Sequence, residues 1–151
     1  MAEYVTTTDA LVALNNTIPF NSVSIPCNTG NVVPLSVGIL NLRGGTTNRF
    51  ARYRVRTQAN LQIPTGGAVT PIALGIAVNG AVAPESVAIV TPVAVGQYWH
   101  INTEAVVTVP NGCCVTVSAA YVDGTADDAA VTPTPSVTVR RNASINVERI
   151  A

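Results

Sequence analysis

The stretch Phe50-Ala-Arg-Tyr-Arg-Val-Arg-Thr-Gln-Ala-Asn-Leu-Gln-Ile63 alternates without a break from Arg52 onward. Tyr53, Val55, Thr57, Ala59, Leu61 and Ile63 fall on one side; Arg52, Arg54, Arg56, Gln58, Asn60 and Gln62 fall on the other. Successive strand side chains point to opposite faces, so the pattern predicts one long β-strand with a core face and a wet or interfacial face. A helical winding would scatter the arginines around its circumference.

The sheet signal repeats on both sides of this strand. In Ile72-Ala-Leu-Gly-Ile-Ala-Val78, Ile72, Leu74, Ile76 and Val78 share one face and Ala73, Gly75 and Ala77 the other. Neither face is polar, which predicts a strand covered twice, either central in the sheet or lying against a neighbouring subunit. Asn79-Gly80 is a two-residue hairpin signal. From Ala94 to Val109, Trp99, Ile101, Ala105, Val107 and Val109 are in phase, while Tyr98, His100, Asn102 and Glu104 take the opposite face. Pro64-Thr-Gly-Gly67 and Pro110-Asn-Gly112 read as turns, and Cys113 to Tyr121 runs back. Ser22 to Pro26, Val137 to Val139 and Ser144 to Ile150 read as further strands, and Val32 to Leu42 as a strand pair or one bent strand. Ala10 to Ile18 fits a short helix or a strand.

About eight to ten strands with proline or glycine corners and no long helix predict an all-β fold, an antiparallel β-sandwich or jelly roll. The length of 151 residues suits one domain. Residues 1–11, polar and threonine-rich, are expected to form an N-terminal arm that is disordered alone or ordered against a partner, with residues 12–151 as the jelly-roll domain.

Hydrophobic residues make up 48% of the chain but aromatics only 5%, so the core must be built from Val, Ala, Ile and Leu. All 8 basic residues are arginines, balanced by 8 acidic ones. Zero net charge with 11% charged residues gives no drive toward nucleic acid or an anionic membrane. A monomer this apolar and uncharged is a poor colloid, which points to a surface covered by a partner, most economically by copies of itself. The first residues lack a basic leader, and no apolar run reaches the ~20 residues that span a bilayer. Synthesis in the cytoplasm without a signal peptide is therefore expected, with the sequons at Asn15 and Asn142 read as chance matches.

Vocabulary for chemistry is sparse. Cys113 and Cys114 are adjacent and would face opposite sides of a strand, and Cys27 stands alone; the three read as buried thiols acting as small hydrophobes. A single histidine cannot complete a metal set, and His100 as a catalytic base has no neighbouring nucleophile in sequence. Absence of lysine excludes Walker-type phosphate binding. Asp123, Asp127 and Asp128 fit no EF-hand-like calcium spacing, and no bidentate Glu follows. The expectation is a non-enzyme with no cofactor and no metal.

Arg52, Arg54 and Arg56 repel one another on one strand face unless neutralised. One reading pairs them with cross-strand carboxylates such as Glu104 or Glu148 on an exposed face. The other makes the face a subunit or partner interface in which guanidinium groups bond carbonyls and carboxylates. Tyr98 and His100 suit a sugar-stacking platform. The candidate interface or ligand-contact residues are thus Arg52, Arg54, Arg56, Tyr98, His100 and Glu104.

Leu42-Arg-Gly44, Ala51-Arg-Tyr-Arg-Val55, Ile63-Pro-Thr-Gly-Gly67, Pro71-Ile-Ala-Leu-Gly-Ile-Ala-Val-Asn-Gly80, Val107-Thr-Val-Pro-Asn-Gly-Cys-Cys-Val-Thr-Val117 and Ile145-Asn-Val-Glu-Arg-Ile150 occur in this order. The arrangement resembles the small trimeric C1q/TNF-like jelly rolls of phage and bacterial surfaces, among them the C-terminal domain of BclA-type exosporium proteins and the head decoration or fibre proteins of tailed phages. The resemblance implies a homotrimer packing small apolar residues about a three-fold axis. Within these 151 residues no collagen-like Gly-x-y run occurs, whereas the exosporium type carries one, so a jelly roll without a stalk is expected. The expectation is a structural phage capsid decoration (cement or auxiliary head) protein on the virion surface. Its partners would be itself, the major capsid protein and host-surface or mucus glycans, with no nucleic acid and no membrane. The alternative is a carbohydrate-binding or exosporium-type surface adhesin module.

Overall fold

In the computed structural model, which describes residues 1–112, 114–125 and 130–151, thirteen strands run in chain order. They are β1 (Ala2–Val5), β2 (Ala10–Ala13), β3 (Ser22–Ile25), β4 (Val32–Ser36), β5 (Ile39–Arg43), β6 (Phe50–Gln62) and β7 (Ile72–Val78), then β8 (Ala81–Val82), β9 (Ala88–Val90), β10 (Tyr98–Pro110), β11 (Cys114–Asp123), β12 (Ser136–Val139) and β13 (Ser144–Arg149). A 3₁₀ turn, Pro84–Ser86, precedes β9.

The alternating stretch is the 13-residue strand β6. Along one edge it pairs antiparallel with all of β10, from Tyr98 opposite Gln62 to Pro110 opposite Phe50. Along the other edge β13 takes Tyr53 to Gln58 and β12 takes Leu61 and Gln62, end to end. β1 then pairs with β13, β3 with β1, and β2 with β12, completing sheet A. Sheet B runs β4-β5-β11-β7, with β8 and β9 sharing the far edge of β7. From β5 to β7, and again from β9 to β12, the chain changes sheet at every step. An antiparallel sandwich wound in this way is a jelly roll.

The core follows the phase of β6. Ala51, Tyr53, Val55, Leu61 and Ile63 are all 0% exposed and pack with Leu74, Ile76, Val117 and Tyr121 of sheet B. Full burial of a Val, Leu or Ile side chain is worth about 1.5–3 kcal/mol, so this face alone outweighs any single polar contact in the molecule. Three hydroxyls drawn inside are satisfied by backbone carbonyls. The Thr57 hydroxyl donates to the Ser144 carbonyl (3.0 Å), Tyr53 to that of Arg43 (2.6 Å) and Tyr121 to that of Thr134 (2.6 Å). Burial, with the Asp123 charge adding to it, pushes the Tyr121 phenol up to about 12.

Several local expectations resolve differently. Val32 to Arg43 is a strand pair turned at Gly38, and the segment from Ala10 begins as strand β2. Residues 2–5, expected within a polar arm, form β1 between β13 and β3, because Ala2 and Tyr4 alternate into the core. The strand count exceeds the sequence estimate because the short pairs β1, β2, β8 and β9 each cover only two to four residues. The Asn79-Gly80 turn has the expected geometry, with φ of 51° and 84°.

The small-residue face of β7 is covered by the chain itself. Val82 and Val87 pack on Ala73, Ala120 and Val122, and a Cβ on Gly75 would meet Val82 Cγ1 at 2.8 Å. Ser86 latches this cover down: its Oγ accepts from Ile76 N (2.9 Å) and donates to the Ala83 carbonyl (2.7 Å). Of the two readings offered by sequence, the covered strand holds: β7 is an interior strand between β11 and the β8 and β9 edge, with its alanines under the chain's own cover.

Gly38 holds φ of +83°, and a Cβ there would collide with the Ile18 carbonyl oxygen. Gly66 holds φ of +98° with nothing within 4 Å. Gly66→Ala should cost about 1 kcal/mol from backbone strain alone, and Gly38→Ala at least about 2–3 kcal/mol because a clash is added. Urea denaturation checks this: both midpoints should fall at unchanged slope, with Gly38→Ala the lower.

Candidate functional site

The outward face of β6 forms ordered rows with its neighbours. Antiparallel register places Glu104, Arg56, Asn146 and Glu3 side by side across four strands, and Val106, Arg54 and Glu148 in the next row. The carboxylates that sequence offers as counter-charges are the ones that meet the arginines. Arg56 Nε donates to Glu104 Oε2 at 2.6 Å, and Arg54 lies 3.7 Å from both Glu104 and Glu148. Exposed pairs of this kind are worth about 0–1 kcal/mol each, so the rows set charge register more than they hold the fold.

Two features are left unbalanced. Arg54 Nε is buried without a hydrogen-bond partner. Arg52 stacks over the Phe50 ring at 4.8 Å, and among the described residues no carboxylate is within ion-pairing distance of it. Beside the Arg56 row, away from Arg54, lies an open depression of about 450 Å³ lined by Glu3, Arg56, Gln58, Asn102, Glu104 and Glu148 among others.

Apolar side chains on the same face were missed by sequence reasoning. Val106 is 54% exposed, Ile150 41% and Phe50 39%, clustered around Arg52. Their signal was available: Val106 continues the polar phase Tyr98, His100, Asn102, Glu104 and breaks it. At the opposite end, Leu11 stands in the row of Thr138, Gln62 and Tyr98, 68% exposed.

Tyr98 and His100 do share the face, as expected, but apart from the paired arginines. Arg140 lies over the Tyr98 ring at 5.3 Å. His100 Nδ1 contacts Asn60 Oδ1 at 3.2 Å, and Asn60 Nδ2 donates to Asn142 Oδ1 at 3.1 Å. This end of the face is an aromatic ring beside a chain of amides. Asp123 accepts from the Thr125 amide and hydroxyl in a local turn; Asp127, Asp128 and Cys113 lie outside the described residues. Among the described residues no three His, Cys, Asp or Glu side chains gather as a metal set.

The cysteines depart from the buried reading. Cys114 is exposed because Val115 and Val117 own the inward phase of β11, and Cys27 is a half-buried free thiol in the loop after β3. Partial burial would raise the Cys27 thiol. Hydrogen bonds from the Thr29 side chain and from the backbone at Val32, Thr29 and Asn31 outweigh it and lower the value from 9.0 to about 7.

An all-β, antiparallel jelly-roll sandwich is thus the class that strand order and register define. No protein-family model matches the chain, and no curated protein matches it. Among solved structures, rabbit GITRL is similar over 95% of this chain and 93% of that one, at 12% identity and a TM-score of 0.48. The C-terminal domain of EclA, a sugar-binding protein, is similar over 95% of this chain and 79% of that one, at 9% identity and a TM-score of 0.41.

Mass-mapped alkylation checks the Cys27 environment. Its rate should follow a half-rise near pH 7, below the ~8.5 of an ordinary thiol. Because the folded value is depressed, the thiolate's contribution to stability is full above the unfolded value and is lost as pH falls through about 7. Cys27→Ala should therefore flatten the pH dependence of Tm between those limits.

Proposed function

We propose that this chain is a non-enzymatic structural protein that assembles as a homotrimer through the outer face of sheet A. The observation that carries the reading is the composition of that face. Exposed Val106, Ile150 and Phe50 surround Arg52, beside rows that alternate Arg54 and Arg56 with Glu104 and Glu148. Arginine and aromatic residues with an apolar centre mark an interface, and a face bearing both signs of charge can complement a rotated copy of itself. The zero net charge of the chain adds support, since such a monomer has little to keep it apart from its copies.

The finer reading is a phage capsid decoration protein seated on the virion exterior, with the major capsid protein as its second partner. The likeness of its turn and strand motifs to phage and bacterial surface jelly rolls supports it. A carbohydrate-binding surface module is the second reading, favoured by the Tyr98 ring beside His100, Asn60 and Asn142, where an aromatic face and amide donors lie within reach of one sugar.

Light scattering of the purified chain at micromolar concentration should return three times the mass of one chain. Val106→Asp, which places a carboxylate within the apolar patch, should give a folded monomer with an unchanged far-UV spectrum and a Tm within a few degrees. A wild-type monomer sinks the assembly reading. Cosedimentation with capsids stripped of auxiliary proteins tests the virion placement, and protein left wholly in the supernatant counts against it. On a glycan array, binding abolished by Tyr98→Ala would favour the second reading over the first.

A further inference from the structure

Two Asn-Gly pairs sit at strand ends, Asn79-Gly80 between β7 and β8 and Asn111-Gly112 between β10 and β11. Glycine leaves its backbone nitrogen unhindered, so that nitrogen can attack the side-chain carbonyl carbon of the preceding asparagine. A C–N bond forms to close a succinimide ring, the glycine amide gives up its proton, and the carboxamide nitrogen departs as ammonia. Water then opens the ring at either carbonyl to give aspartate or isoaspartate. The net change exchanges an amide for a carboxylate, and no oxidant or reductant is required.

By sequence the two pairs are equivalent; their surroundings are not. Asn79 is clamped to β11 at two points. Its backbone N–H donates to the Thr116 carbonyl (2.9 Å), and its Oδ1 accepts from the Thr116 N–H (3.1 Å). The carboxamide is held toward Thr116, and ring closure on Gly80 requires that bond to break. Among the described residues Asn111 has only a backbone bond, its N–H donating to the Arg49 carbonyl at 3.1 Å. Its side chain is exposed and makes no hydrogen bond among the described residues. Gly112, at φ of +68°, has nothing within 4 Å of where a Cβ would stand.

We propose that Asn111 is a site of spontaneous deamidation, and that the Thr116 clamp shields Asn79 from the same reaction. The product carries a new carboxylate on a chain of zero net charge. As isoaspartate it also lengthens the backbone by one atom, at the corner where the chain leaves sheet A at Pro110 and enters sheet B at Cys114.

The whole folded chain would be held at mildly alkaline pH below its Tm and sampled over time. Trypsin leaves both asparagines in the fragment Thr57 to Arg140, whereas cleavage after glutamate at mildly acidic pH separates Tyr4 to Glu85 from Ala105 to Glu148. Mass spectrometry of the two fragments, with isoaspartyl methyltransferase labelling, gives each rate. Loss of one hydrogen bond on the way to the ring predicts that Asn111 reacts at least about fivefold faster than Asn79. In denaturant the two rates should converge. Equal rates in the folded chain, a faster Asn79, or an inert folded Asn111 would each overturn the proposal. So would a rate difference that persists in denaturant, because the clamp would then not be its cause.

Discussion

The two-faced packing of β6 is the constraint on which the remaining structure rests. Its inward side chains are sealed completely, and a shift of one residue against β10 would expose all of them together. Register is therefore specified by the core, and the core in turn places Arg54 and Arg56 opposite Val106 and Glu104 with no freedom to slide. The charge rows on the outer face are a by-product of that locking. Their own energies are too small to have chosen the register.

The two sheets treat their outer faces in opposite ways. Sheet B covers the small side of β7 with its own chain, through Val82, Val87 and the Ser86 latch. Sheet A leaves its outer face open, charged at the middle and apolar at both ends. The division follows from side-chain size. Alanine and glycine on β7 allow a covering segment to approach closely, whereas the long arginines of β6 hold any such segment away.

Much of this was legible in the chain. The period of two around Tyr53, the Asn79-Gly80 turn and the phase of Trp99 to Val109 each gave the right element, because burial on one face leaves a periodic record. What was not legible involves partners distant in sequence. The tandem pairing of β12 and β13 along one edge of β6 leaves no local mark, and neither does the insertion of β1 between β13 and β3. Residues 2–5 read as an arm because four residues are too few to establish a period. In the candidate site, the arginine and carboxylate ladder was readable from alternation, whereas the apolar cluster of Phe50, Val106 and Ile150 joins β6, β10 and the segment just after β13 and exists only once register is set.

Insertion of β1 against β13 has a consequence for how the protein is made. Tyr4 lies opposite Ile145, so β1 cannot close its hydrogen bonds on that edge until β13, the last strand of the sandwich, has been made. Until then the edge of β6 from Tyr53 to Gln58 has no partner strand. Such long-range closure makes for high contact order and slow acquisition of the native state, with greasy surface on display throughout elongation.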